Sequence, residues 1–129
     1  MRGFLLAAIA ALALLGAGCE SAPVQGIKSM FQDKGEPELA TGVKDYEEGD
    51  YKNAETHLQA ALDAGLNSKA DQVKAHKYLA FTYCVTSREK PCREEFRKVL
   101  EIDPSFELPA GEAGHPIWGP VFRSVKTKK

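Results

Sequence analysis

Side-chain catalysis needs a nucleophile with a base beside it, or a cluster of metal ligands. The residues that could supply either are three histidines, His57, His76 and His115, and three cysteines, Cys19, Cys84 and Cys92. The histidines fall in different segments and form no two-histidine helical pair. The interval from Cys84 to Cys92 is too long for the close cysteine pair of a zinc hook. Glu47-Glu48 and Glu94-Glu95 read as solvated helix faces, not as paired acids. Gly111, Gly114 and Gly119 flank turns without the strand before and helix after that a phosphate-cradling loop requires. His57 reads as a polar helix residue, His76 as a group packed between helices, and His115 as a cap on the turn at Pro116. The expectation is a chain that is not an enzyme, with no catalytic residues, no metal site, no cofactor and no small-molecule substrate.

The elements that carry these residues start with an export segment. Met1-Arg2 gives a short positive start, and Gly3 to Gly18 runs without one polar side chain. At helical rise these residues span about 24 Å, short of the roughly 30 Å hydrocarbon core of a bilayer. No basic cluster follows to stop transfer, so residues 1–18 read as a secretory signal. Leu14-Leu15-Gly16-Ala17-Gly18-Cys19 resembles the lipobox of bacterial lipoproteins, in which small residues precede a cysteine that is lipidated and becomes the first residue. Gly16 stands where Leu is usual, and Gly16 and Gly18 would also suit ordinary signal peptidase, which would give a soluble periplasmic protein. Glu20, where Asp would retain a lipoprotein in the inner membrane, makes the outer membrane the destination the resemblance implies. Two or three acyl chains on Cys19 would anchor the chain stably. Lipidation also leaves Cys84 and Cys92 as an even pair in an oxidising compartment.

Without Arg2 the chain carries 16 basic and 18 acidic side chains, which excludes a nucleic-acid footprint. Its basic cluster, Arg123, Lys126, Lys128 and Lys129, reads as a frayed terminus or as a contact for anionic lipid or a partner. Residues 19–37 hold Pro23, Gly26, Gly35 and Pro37 and read as a lipidated start and flexible tether. Ile27, Met30 and Phe31 could make a short amphipathic turn within it.

From Glu38 the periodicity is helical. Leu39, Val43 and Tyr46 mark a first helix, broken at Glu48-Gly49-Asp50. Asp50 caps a second, with Tyr51, Ala54, Leu58, Ala61 and Leu62 on one face and an end near Gly65. Ser68 and Asp71 open a third, whose stripe runs through Val73, Ala75, Tyr78, Leu79, Phe81, Thr82 and Val85. Pro91 sits in the first turn of a fourth, faced by Cys92, Phe96, Val99, Leu100 and Ile102 and closed by Asp103-Pro104. No stretch alternates with period two long enough for a sheet, so the fold class is all-α.

A shift of 38 residues places Gly42 on Ala80, Ala54 on Cys92, Leu58 on Phe96, and Ala61-Leu62 on Val99-Leu100. This pattern over residues 38–104 resembles two tetratricopeptide repeats, the second departing at Cys92 and Val99, where Ala is usual. A plain four-helix hairpin array would satisfy it too. Two repeats need help to bury their ends. Cys84 and Cys92 flank the turn between the third and fourth helices, where antiparallel packing would bring them together. They are read as a disulfide, with two buried free thiols as the other possibility. Residues 105–129 are the second aid: Trp118, Phe122 and Val125, on a short helix after Pro120, would cap the last repeat or form a partner-binding aromatic patch.

The lipobox together with Ala75-His76-Lys77, Leu79-Ala80-Phe81, Tyr83-Cys84, Arg93, Phe96, Asp103-Pro104, Phe106, Leu108, Glu112, Gly114-His115-Pro116, Trp118-Gly119-Pro120 and Phe122 resembles the TssQ-like lipoproteins associated with type VI secretion. The resemblance implies a lipid-anchored protein of the outer membrane, facing the periplasm, that binds a protein component of that machine. Tyr46, Lys74, His76 and Tyr83, on the concave side of such an array, and Trp118 are the expected partner-binding residues. A pilotin-like or general envelope-assembly lipoprotein is the alternative. An enzyme or enzyme accessory, such as a peptidoglycan-remodelling factor, is the third class.

Overall fold

A computed structural model describes residues 34–127. The signal segment, Cys19, the tether as far as residue 33, and Lys128 and Lys129 lie outside the described residues. The described chain is all-α, with six helices and no strand.

The first helix, α1 (Glu36–Glu47), starts inside the segment expected to be tether. Pro37 lies in its first turn, where a fixed φ suits the helix and the missing N–H has no partner to lose. Glu36 and Glu38 place negative charge at the positive end of the helix dipole. The preceding Gly35 is pinned by its N–H, which donates to the Gly65 carbonyl at 3.0 Å. A Cβ at Gly35 would lie 2.1 Å from the Ala61 carbonyl oxygen, so only glycine fits there.

Gly49, at φ +79°, turns the chain into α2 (Tyr51–Ala64). Asp50 caps that helix, accepting from the Asn53 N–H at 3.2 Å. Gly65, at φ +106°, ends it. The third helix, α3 (Lys69–Val85), is capped by Ser68, whose hydroxyl accepts from the Asp71 N–H at 3.0 Å. The fourth, α4 (Glu89–Ile102), holds Pro91 in its first turn. Each pair, α1 with α2 and α3 with α4, folds back on itself as a hairpin, and the two hairpins meet between α2 and α3.

Burial follows the internal shift. Gly42 and Ala80, Ala54 and Cys92, Leu58 and Phe96, and Ala61 and Val99 are all buried. Gly42 lets α1 approach α2: a Cβ there would stand 2.7 Å from Leu58 Cγ. The broad stripe on α3 has a physical cause, since that helix is buried on two sides. Ala75 and Leu79 join Leu39, Ala54, Leu58, Ala61 and Leu66 in one core, while Ala80, Phe81 and Cys84 enter the other.

Cys84 and Cys92 form a disulfide across the α3–α4 turn, with Cα atoms 5.3 Å apart, which sets aside the free-thiol reading. After Asp103 a turn, closed by the Phe106 N–H donating to the Asp103 carbonyl at 3.0 Å, leads past Leu108 to a single helical turn, α5 (Ala110–Ala113), that sequence periodicity does not signal. The last helix, α6 (Trp118–Thr127), begins ahead of Pro120 and not after it, with Pro120 inside its first turn. His115 makes this start possible: its Nδ1 accepts from the Ile117 N–H at 3.1 Å. Helix α6 lies on α3 and α4, and Trp118, Val121, Phe122 and Val125 close the second core.

Candidate functional site

Of the residues expected from sequence at a partner surface, Trp118 is buried, Tyr46, His76 and Tyr83 are half-buried, and Lys74 is exposed. Trp118 follows the capping reading. It is 7% exposed and stacks on Phe81 with ring centroids 4.0 Å apart. The His115 ring covers its other side at 3.3 Å, and its Nε1–H donates to the Glu112 carbonyl at 2.9 Å. Both faces and the polar tip are used inside the fold, so this ring is a cap and not an exposed patch.

Tyr46 is half-buried among Tyr51, Tyr78, Phe81 and Trp118, an aromatic cluster that joins α1, α3 and α6. Burial, then the neighbouring Tyr51, Tyr78 and Glu112, push its phenol far up from the ordinary value. Tyr83 is covered by the Arg88 guanidinium at 4.7 Å, and Arg88 reaches Glu55 on α2 at 2.7 Å. Burial and the charge of Glu55 raise the Tyr83 phenol as well.

His76 is held between helices, as expected, with Nδ1 donating to Glu95 Oε2 at 2.6 Å. Glu95 is a buried carboxylate, 5% exposed, on α4. Burial works against its charge, but hydrogen bonds from His76 and from Lys98, at 2.8 Å, outweigh it and hold the carboxyl below its ordinary value. His57 makes the matching contact in the first hairpin, with Nδ1 2.6 Å from Asp45 Oδ2. Lys77 reaches both carboxylate oxygens of Glu112, at 2.8 and 3.0 Å, and so ties α3 to α5. These ionisable groups therefore link elements of the fold in pairs.

Lys74 is the one member of the expected set that is well exposed, and it lines a groove. A groove of about 670 Å³ opens between the first half of α3 and the segment that follows α4. Two rows of α3 residues at helical spacing, Lys69-Val73-Lys77 and Ala70-Lys74-Tyr78, make one wall. Ile102, Asp103, Pro104 and Phe106 make the other. Lys69, Val73 and Phe106 were not singled out from sequence as surface residues. The signal that could have found them is the helix end at Asp103-Pro104, where the chain leaves α4 and turns.

No protein-family model, curated protein or solved structure matches this chain. Its function is read from its own residues.

Proposed function

We propose that the chain is a lipoprotein anchored through Cys19 at the outer membrane, facing the periplasm, and that it binds another protein with a short tetratricopeptide-like array. In this reading it is a non-enzymatic accessory of a type VI secretion machine. The observation that carries the anchor is the run Leu14 to Cys19 ahead of a chain whose other two cysteines pair with each other. Adaptor function is supported by the groove beside α3 and by the state of the ionisable side chains. His57, His76, Lys77 and Glu95 serve contacts between helices, and Lys74 stands open on the concave wall.

Fractionation of envelopes from cells making the full chain tests the anchor. The native chain should enter the outer-membrane fraction, and Cys19→Ser should leave it. Affinity capture from the same membranes tests the partner. Sheath or membrane-complex components of the secretion machine should be recovered with the native chain. Recovery of unrelated envelope proteins alone would overturn the secretion assignment, and hydrolysis of cell-wall material by the purified chain would overturn the adaptor reading.

A further inference from the structure

We infer that the groove between α3 and the Asp103–Phe106 segment docks a short partner segment in which acidic side chains flank an apolar one. The inference rests on the reading of this chain as a protein-binding adaptor and names the chemistry of what it binds.

The argument is one of complementary charge above an apolar floor. Val73, Tyr78, Ile102 and Phe106 supply the floor. Three lysines line the same space. Lys77 is already neutralised by Glu112, whereas Lys69 and Lys74 form no ion pair with any described residue. The one carboxylate in the lining, Asp103, is turned to its own loop, where its Oδ1 accepts from the Ser105 N–H at 3.1 Å and from the Ser105 hydroxyl at 2.7 Å. Two open cations thus stand over an apolar recess in a chain whose formal charge is −1, so the basic character is local.

Such a site selects carboxylates at its rim and buries an aliphatic or aromatic side chain between them. The volume lies in the range of ligand-binding clefts, roughly 300–1,000 Å³, which suits a few residues of peptide. A flat anionic bilayer could meet Lys69 and Lys74 but would leave the floor unfilled.

The test is selection of a random displayed-peptide library on the full chain. It is followed by fluorescence anisotropy with a labelled probe peptide, Asp-Glu-Leu-Asp-Phe-Glu, and with its counterpart carrying Lys at every acidic position. Selected peptides should be rich in Asp and Glu beside Leu or Phe, and the acidic probe should bind at least about tenfold tighter than the basic one. Its affinity should fall as salt rises. The double variant Lys69→Glu/Lys74→Glu should lose at least about tenfold in affinity. Both side chains are exposed and Glu at position 69, in the first turn of α3, suits the helix dipole, so the circular dichroism and melting temperature of the variant should match those of the native chain.

Equal binding of the two probes, no acidic preference in the library, or an unchanged double variant would overturn the inference. So would lysine-dependent binding to phosphatidylglycerol vesicles that an excess of acidic probe fails to displace. Capture from membranes separates the two levels. A protein partner recovered equally by the native chain and the double variant would leave the adaptor reading standing and remove this groove. Recovery of no protein by either would remove both.

Discussion

Replacing Trp118 with Ala measures how much of the fold the C-terminal segment secures. The indole is 7% exposed, stacked between Phe81 and His115, and hydrogen-bonded to the Glu112 carbonyl. Truncation of a buried Trp costs about 3–5 kcal/mol from lost transfer energy and the cavity left behind. The 94 residues from 34 to 127 can be expected to hold about 5–14 kcal/mol of net stability. The substitution therefore removes a large share of it, and the melting temperature should fall by at least about 12 °C. Trp118→Phe separates the contributions, since it keeps a ring on Phe81 but removes the indole donor to the Glu112 carbonyl, which still accepts from the His115 N–H at 3.1 Å; its cost should be about 0.5–1.5 kcal/mol. Urea unfolding followed by far-ultraviolet circular dichroism gives both values without needing Trp fluorescence. If α6 undocks in the Ala variant, the native state already exposes Phe81, Phe96 and Phe122, and the dependence on urea becomes shallower. A cost below about 1 kcal/mol with an unchanged slope would refute the capping argument.

Three other perturbations probe separate parts of the molecule. Cys84→Ala/Cys92→Ala opens a bridge with a sequence separation of 8 and should cost about 2.5 kcal/mol from loop entropy, read as a lower urea midpoint that reductant does not lower further. Gly42→Ala sets a helix-propensity gain of about 1 kcal/mol against a Cβ placed 2.7 Å from the Leu58 side chain and 3.0 Å from its backbone N. The clash should win by about 1–2 kcal/mol, whereas Gly111→Ala, with open space around it, should not destabilise. Glu95 ionises more readily in the folded chain than at its ordinary value of 4.5. The stability this carboxylate contributes is therefore complete above about pH 4.5 and is lost as pH falls through its lower folded value. Glu95→Gln should be less stable near neutrality and flatter in acid, and an acid limb as steep as that of the native chain would show that Glu95 is not responsible.

Much of the helical framework was legible because its signals are local. Asp50 and Ser68 act as caps, Gly65 as a terminator and Pro91 as a first-turn residue wherever the chain goes afterwards. The spacing within each helix, as in Leu39, Val43 and Tyr46 or Cys92, Phe96 and Val99, states which faces are apolar and points to an all-α fold. Two boundaries were misplaced because proline is ambiguous in sequence. Pro37 and Pro120 read as breaks, yet both lie in first turns, where their missing N–H has no partner to lose.

Side-chain environment was the harder matter. Helical periodicity sorts residues by face but does not say which faces are covered twice. Tyr46, His76, Tyr83 and Trp118 have the chemistry of contact residues, and packing between helices consumed them. Lys74 kept its freedom because it faces the groove rather than a packed helix. The sequence by itself determined the four hairpin helices and their apolar faces, since each depends on residues a turn or two apart. Only the tertiary structure decided that Trp118 is a lid and that Lys69, Lys74 and Phe106 share a groove, because those outcomes depend on contacts between residues far apart in the chain.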